Sequence, residues 1–287
     1  MEVRFLSAKN YKNPKGNNGD CILIDTSKEL VIYDCGCEEH AESVIQYMKD
    51  HKYEKAKLVL SHNDDDHFKG ILDLINQGAL SEIYTLLLFK YAEDLYTIIG
   101  DRRRNKHSII NRIKELYDNI DSLSGKVTLK DMFFDTGVAT NITIPGPTKE
   151  YSLKAVAEAI KKDTSSKIDK ETIVNAVSTQ LSVNFSLGRK LLLTGDSSFA
   201  AIEDAVKSHN AIQLPHHGKL EQAESIFDVK DNRTIYYVSD NTGSSNGGSD
   251  DLMKTHFPGH VIHNTLNGDQ ICKSESFLVT ASVGYYY

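Results

Sequence analysis

The most constraining feature of this chain is a dense polar segment, residues 62–67, which reads His-Asn-Asp-Asp-Asp-His and follows the strand-like run 57–60. Three carboxylates in a short, partly buried turn repel one another unless a cation neutralises them, and one divalent metal can do this. Imidazole nitrogen and carboxylate oxygen together suit Zn²⁺, Mn²⁺ or Fe²⁺. A solvated acidic loop is the alternative, but the segment lies between an apolar strand pattern and an apolar helix pattern. The sequence therefore predicts a metal-binding turn at the end of a buried strand.

Apolar periodicity along the chain alternates between strand and helix. Residues 21–24 and 30–33 flank a polar turn, which predicts a hairpin, and residues 38–51 carry apolar side chains at helical spacing. The same reading gives helices at 68–78, 108–123 and 153–162, a polar surface loop or helix end at 161–171, and strands at 83–89, 138–147, 181–185, 190–193, 211–214, 235–238 and 259–263. Because strands and helices mix throughout and no linker interrupts them, we expect an α/β sandwich in a single domain, residues 1–287.

Charge and cysteine content narrow the class of protein further. With 33 Lys+Arg against 40 Asp+Glu, the formal charge is −7, which argues against binding through a generally basic surface. A local basic run at 102–104 could still contact a polyanion. Four cysteines are too few for a disulfide scaffold, and neither a secretory signal pattern nor a membrane-length apolar run is seen. We therefore expect a cytoplasmic protein that does not bind membranes.

Several motifs beyond the polar segment occur in a recognisable order. The pattern from Ser61 to Gly70 resembles the signature of metallo-β-lactamase-fold hydrolases, in the form found in the metallo-hydrolase domain of DNA-uptake (competence) proteins. Five other segments resemble that branch in the same order, namely 19–24, 33–36, 144–148, 192–196 and 214–218. The resemblance spans roughly residues 1–270, and collinear motifs are more specific than any one of them.

The resemblance implies a four-layer αββα sandwich, two mixed β-sheets flanked by helices, that holds two divalent ions, Zn²⁺ or Mn²⁺. It assigns His62 and Asp64 to a first metal, Asp66 and His67 to a second, and Asp196 to a bridge between them. His217 would complete the second site, with His216 beside it as an alternative ligand or phosphate contact. In the chemistry, Asp196 would hold the bridge, Asp66 would orient or deprotonate the nucleophile, and His216 would help to stabilise the leaving oxygen.

Two further carboxylates, and several positions at which this sequence differs from the family motifs, refine this prediction. Asp34 and Asp20 would suit the role of orienting a ligand imidazole, although capping a turn is an equal alternative. Asp64 stands where the commoner signature has histidine, so the first site has a harder, oxygen ligand in place of nitrogen. Residues 171–185 contain no third histidine for this site. The first site is therefore expected to be the weaker one. Residues 244–250 replace a histidine-containing loop of relatives, so substrate selection there should differ.

The resemblance implies hydrolysis of a phosphate ester, with nucleic acid or a nucleotide as the first-choice substrate. One alternative keeps the metals and cleaves a lactone, thioester or amide, and the acidic net charge favours such a small substrate over long DNA. Another is a non-catalytic interaction partner with a vestigial site. The remaining histidines are expected to be surface or packing residues, with His263 as the one that could face the site.

Overall fold

A computed structural model of the chain describes residues 1–100, 106–162, 167–168, 170–243, 248–255 and 257–279. Its strands are β1 (Glu2–Phe5), β2 (Ile22–Asp25), β3 (Leu30–Tyr33), β4 (Ala56–Val59), β5 (Leu80–Thr85), β6 (Thr128–Asp131), β7 (Gly137–Ala139), β8 (Ile142–Thr143), β9 (Leu181–Asn184), β10 (Lys190–Leu193), β11 (Ala211–Gln213), β12 (Ile235–Val238), β13 (Val261–Asn264) and β14 (Gln270–Lys273).

Helices connect and cover these strands. They are α1 (Glu38–His51), α2 (Asp65–Asn76), α3 (Ala92–Ile99), α4 (Lys106–Asp121), α5 (Lys149–Lys162), α6 (Ile173–Ala176), α7 (Phe199–Lys207), α8 (Pro215–Gly218), α9 (Leu220–Phe227), α10 (Asp250–Thr255) and α11 (Ser276–Val279). Within the described ranges, none of them combines the length and apolar content needed to span a bilayer.

The strands form two mixed seven-stranded sheets, with the orders β14-β1-β2-β3-β4-β5-β6 and β13-β12-β11-β10-β9-β8-β7. In the first sheet β3, β4, β5 and β6 run parallel, and in the second β10, β11, β12 and β13 do so. The two sheets are flanked by helices, which confirms the α/β sandwich predicted from the sequence. Because these strands are parallel, their carboxyl ends meet at one edge of each sheet, where the loops that follow them can converge.

Large buried side chains join the two sheets face to face. Phe5 of the first sheet stacks on Tyr237 of the second with ring centroids 4.7 Å apart. Tyr33 of the first sheet donates a hydrogen bond of 2.7 Å to the carbonyl of Thr179, which precedes β9. Burying one phenylalanine contributes about 1.5–3 kcal/mol, so this interface is a main source of stability.

The predicted helices and strands agree best with the structure where the apolar pattern extends over many residues. The hairpin at 21–33 is confirmed and so is the helix at 38–51, now α1. The single strand predicted at 138–147 is wrong, because Asn141 adopts a left-handed conformation, with φ of 66°, and turns the chain into the β7–β8 hairpin. The strand predicted at 83–89 instead begins at Leu80 and ends at Thr85, and a 3₁₀ turn follows at Leu88–Tyr91. The basic run at 102–104 lies outside the described residues.

Candidate metal centre

Polar loops from both sheets meet where parallel strands end. The 62–67 turn follows β4, and Asp34 follows the neighbouring strand β3. In the second sheet, Asp196 follows β10 and the two histidines His216 and His217 follow β11. Carboxyl ends of parallel strands are the usual location of sites in α/β folds. The order of the strands therefore explains why segments far apart in the chain contribute to one cluster.

Four imidazoles face the carboxylate of Asp196, which is 3% exposed. His67 Nε2 lies 3.4 Å from its Oδ1. The Nε2 atoms of His62, His216 and His217 lie 3.9, 3.7 and 3.9 Å from its Oδ2. The four rings thus present the same nitrogen to one carboxylate.

Two more carboxylates divide this cluster into two halves. Asp64 Oδ2 lies 3.7 Å from His62 Nε2, and Asp66 Oδ2 lies 3.3 Å from His217 Nε2. We call His62, Asp64 and His216 the outer half, and Asp66, His67 and His217 the inner half; Asp196 belongs to both. The Asp64 side chain is 48% exposed, whereas His67 and His217 are almost fully buried.

Donor atoms at the centre of the cluster have the spacing of metal ligands. Within the described residues, His62 Nε2, His67 Nε2, His217 Nε2 and Asp196 Oδ1 are buried and have no hydrogen-bond partner. Leaving such atoms unpaired is costly, and separations of 3.3–3.9 Å are mostly too long for hydrogen bonds. They resemble the spacing between ligands around one ion, since ligands at about 2.1 Å from a tetrahedral ion lie about 3.4 Å apart. Two groups, His62 with His67 and Asp196, and Asp66 with His67 and His217, place their ligand atoms within 4.8 Å of one another.

Buried aspartates hold the imidazoles of the inner half by their other nitrogen. His67 Nδ1 lies 2.8 Å from Asp34 Oδ2, and His217 Nδ1 lies 3.0 Å from Asp20 Oδ1. Asp34 also accepts hydrogen bonds from the amide and hydroxyl groups of Ser61, at 2.7 and 2.6 Å. The prediction that Asp34 and Asp20 orient imidazoles is confirmed. Because a carboxylate can only accept, the contacts with Asp34 and Asp20 place a proton on Nδ1 and direct Nε2 toward Asp196.

The outer half has different support. His62 Nδ1 lies 2.9 Å from the hydroxyl of Ser61. His216 Nδ1 lies 2.6 Å from Glu171 Oε2, and the same carboxylate accepts a 2.7 Å hydrogen bond from Lys219 Nζ. Residues 161–171 were expected at the surface, yet Glu171 is 1% exposed. That prediction is wrong at Glu171 because the imidazole and the ammonium together compensate the burial of its charge.

Asn175 stands in the 171–185 stretch where a third histidine is missing. Its amide Nδ2 donates a 3.2 Å hydrogen bond to Asp196 Oδ2, and the residue is 3% exposed. A lone asparagine carries no sequence signal for this role. Asn175 lies in the short helix α6, which the hydroxyl of Thr172 caps, and its role becomes visible only once that helix is placed next to Asp196.

The electrostatic field of the cluster favours positive charge. Burial alone would lower the pKa values of His67 and His217, but the carboxylate of Asp196 and the aspartate behind each ring raise them well above their usual range. Burial would likewise raise the pKa of Asp196, yet the facing imidazoles hold it well below its usual range. Burial raises the pKa of Asp64 to about 6. A cation bound at this place would meet the same stabilising field.

Backbone strain is concentrated at the same edge. Asp34, His216 and His217 all have positive φ, at 58°, 51° and 56°. Such conformations cost on the order of 1–3 kcal/mol for residues with a side chain. His216 N donates a 3.1 Å hydrogen bond to the carbonyl of Gly195, which helps to hold this conformation.

The metal-binding turn is anchored through its main chain. Asp20 N donates to the carbonyl of Asp66 at 2.9 Å, and Cys35 N donates to the carbonyl of His67 at 3.0 Å. Gly19, with φ of 65°, lies so close that a Cβ there would come within 1.6 Å of the Asp66 carbonyl oxygen. Only glycine permits this approach.

His263 does not need a role in the cluster. Its ring stacks on Tyr237 with centroids 5.1 Å apart, in the middle of the pairing between β12 and β13. The packing alternative therefore accounts for it. Residues 244–247, expected to influence substrate selection, lie outside the described residues.

Comparison with known families and structures concerns the fold of this chain. Residues 14–150 match the model of the metallo-beta-lactamase superfamily. Together with the two mixed sheets flanked by helices, this match shows that the chain has the metallo-β-lactamase fold. No curated protein matches the chain by sequence.

Among solved structures, the metallo-β-lactamase fold protein YhfI from Bacillus subtilis is similar over 95% of this chain and 100% of its own, with 14% identity and a TM-score of 0.51. Igni18, a metallo hydrolase from the archaeon Ignicoccus hospitalis, covers 95% of this chain and 99% of its own, with 12% identity and a TM-score of 0.48. The short form of human tRNase Z covers 78% and 81%, with 15% identity and a TM-score of 0.35. At 14% identity the likeness to YhfI shows the fold alone, and the resemblance to the competence-protein branch stays a prediction.

Proposed function

We propose that this chain is a metal-dependent phosphodiesterase that acts on nucleic acid or nucleotides. The observation that carries the proposal is the convergence of four imidazole Nε2 atoms on Asp196, three of them buried and without a hydrogen-bond partner among the described residues. Such a set of nitrogen and oxygen donors suits Zn²⁺ or Mn²⁺.

In this proposal each half of the cluster holds one cation. His62, Asp64 and His216 would serve the outer half, and His216 takes the place of the missing third histidine. Asp66, His67 and His217 would serve the inner half, with Asp196 shared between them. The support is that His216 Nε2 and His62 Nε2 approach Asp196 Oδ2 at 3.7 and 3.9 Å. His217 Nε2 approaches the same oxygen at 3.9 Å but lies closer to Asp66, at 3.3 Å, which assigns it to the inner half.

Divalent cations bound here would supply polarisation of a phosphoryl oxygen and activation of water near neutral pH. The protein's own groups would do the rest. Asp66, at the rim of the inner half, would orient the attacking water and accept its proton. Asn17 Nδ2 donates a 2.9 Å hydrogen bond to its carboxylate. His216, held by Glu171, would contact the leaving oxygen from the outer side.

The first test measures metal content and hydrolysis of bis-p-nitrophenyl phosphate by protein reloaded with Mn²⁺ or Zn²⁺. Replacing the shared ligand, Asp196→Asn, should lower the rate by about a thousandfold or more, since removing metal or electrostatic stabilisation of the transition state typically costs several kcal/mol. The same variant should bind less metal, by direct elemental analysis.

Asp65→Asn is the matched control. Asp65 lies in the same turn, but its side chain is 75% exposed and pairs with Lys69. Its removal should leave metal content and rate unchanged. If the wild-type protein binds metal but cleaves only p-nitrophenyl acetate or a lactone, the metal centre stands and the phosphodiesterase proposal fails; if it binds no metal, both fail.

A further inference from the structure

A polar cavity lies at one edge of the second sheet, and the metal centre lies at the opposite edge. Its volume is about 430 Å³, and it is lined by Arg189, Asn210, Lys230, Asp231, Arg233, Thr234 and Phe277. Arg189, Asn210 and Thr234 directly precede β10, β11 and β12. Because these three strands run parallel, the cavity is at their amino ends and the metal ligands are at their carboxyl ends.

The cavity carries an excess of positive charge in a chain whose net charge is −7. Three cationic residues line it against one carboxylate, that of Asp231. Arg233 Nε donates to Asp231 Oδ2 at 2.9 Å, so this pair is internally neutralised. Asp231 also attracts Lys230, so one carboxylate faces three cations and the lining keeps a formal excess of two positive charges.

Within the described parts of the chain, neither Arg189 nor Lys230 forms a direct ion pair with a carboxylate. Lys230 Nζ is held by two main-chain carbonyls, those of His209 at 2.8 Å and Lys207 at 3.3 Å. These contacts fix the ammonium group without cancelling its charge, and partial burial lowers its pKa. The Arg189 guanidinium makes no hydrogen bond or ion pair in the same described regions and lies at the rim, where its planar fork can reach a ligand.

Neutral polar and aromatic groups complete the wall. Asn210 accepts a 3.1 Å hydrogen bond from Lys190 N through its Oδ1, which leaves the amide nitrogen as its donor. Thr234 is buried at the floor, and Phe277 supplies an apolar side. A volume of about 430 Å³ falls within the range of small-ligand sites.

We propose that this cavity binds a small phosphorylated anion, with its phosphate between Arg189 and Lys230. Guanidinium and ammonium groups are the usual partners of phosphate, because charge-assisted hydrogen bonds to it are strong and geometrically specific. Phe277 and Thr234 would contact the remainder of the ligand. The site is separate from the metal centre and does not depend on the reaction proposed there.

Isothermal titration calorimetry tests the proposal. Inorganic pyrophosphate is titrated into metal-free full-length protein. We expect saturable binding of one pyrophosphate per chain that weakens as sodium chloride is added, because salt screens partly exposed charges. Arg189→Gln should weaken binding by about tenfold or more, since it removes charge-assisted hydrogen bonds. Amide resonances at Asn210 and Thr234 should shift on titration, whereas those of the 62–67 turn should not.

Lys55→Gln is the matched control, because Lys55 is exposed and immediately precedes β4 in the other sheet. It removes one positive charge and should leave pyrophosphate affinity unchanged. Arg189→Gln is preferred to a Lys230 variant because Lys230 also anchors two carbonyls. Equal weakening by both variants, no saturable binding, or binding of a single-stranded oligonucleotide but not of pyrophosphate would each overturn the small-anion site.

Discussion

The inner and outer halves of the cluster are built from the same ligand types but are supported differently. The inner imidazoles are held by Asp34 and Asp20, both essentially buried, and face a rim carboxylate that is 17% exposed. In the outer half the Asp64 side chain is 48% exposed and His216 is 18% exposed. His62 is held by neutral hydroxyl groups rather than by a carboxylate.

In the inner half a buried carboxylate lies behind each imidazole, whereas in the outer half His216 has one, Glu171, and His62 has only hydroxyl groups. A carboxylate behind the ring fixes its orientation and increases its basicity, and the effect grows when solvent is excluded. We therefore expect the inner half to bind its metal more tightly. The outer half should exchange its metal more readily, which agrees with the sequence-based expectation that the first site is weaker.

The largest expected effect concerns the free energy of unfolding and His40, which lies against the segment that carries Asp20. His40 is fully buried, with Nε2 3.1 Å from the carbonyl of Gly19, which precedes Asp20, and Nδ1 2.7 Å from the Tyr11 hydroxyl. The neutral ring donates to the first and accepts from the second, and burial lowers the pKa of His40 to about 4. Between pH 6.5 and 4 the unfolded chain binds more protons here than the folded chain. The free energy of unfolding should therefore decrease as the pH is lowered through this range, by up to about 3 kcal/mol in total from this residue.

Urea unfolding of metal-free protein at several pH values checks this expectation. His40→Gln should flatten the dependence between pH 6.5 and 4, whereas His51→Gln, an exposed histidine on the same helix, should retain the wild-type dependence. If the free energy of unfolding of His40→Gln depends on pH as in the wild type, the segment that carries Asp20 does not depend on a neutral His40.

A smaller effect should follow from Asp34→Asn. Asparagine tolerates the positive φ at this position, so the backbone should be retained while the charge behind His67 is lost. We expect metal affinity of the inner half to fall by about 10–100-fold. Competition titration with a metal-binding dye resolves the two affinities, and a loss confined to the weaker class of site would contradict the assignment of the inner half as the tight one.

The smallest effect should come from Glu171→Gln. Glutamine can still accept from His216 Nδ1, but without a charge, so we expect only the weaker metal affinity to fall, by about tenfold or less. Glu221→Gln, at an exposed carboxylate that pairs with Lys170, serves as the control. If both metal affinities fall equally, the two halves are coupled more closely than their separate supports suggest.

The sequence could predict those parts of the cluster that belong to compact motifs at strand ends. His62, Asp66 and His67 lie within six residues after a strand pattern, so composition and periodicity point to them. Asp196 and His217 were predicted from the resemblance of segments 192–196 and 214–218 to family motifs, which lie where apolar runs end. Glu171 and Asn175 were missed because each is a single polar residue in a stretch without periodicity. Their roles depend on where α6 and the segment before it pack, which is a tertiary property. The β7–β8 hairpin was missed for a local reason, since one asparagine in a left-handed conformation ended an otherwise extended pattern.

The anchoring of the metal-binding turn has a consequence for how this fold can diversify. The turn is held by hydrogen bonds from Asp20 N and Cys35 N to main-chain carbonyls and by the close approach of Gly19, none of which uses a ligand side chain. Holding the turn in place and choosing its ligands are therefore separate tasks for different parts of the sequence. An exchange such as histidine for aspartate at position 64 can alter the chemistry without moving the scaffold. The backbone of the turn can therefore stay fixed while natural variation or protein design exchanges its ligand side chains one residue at a time.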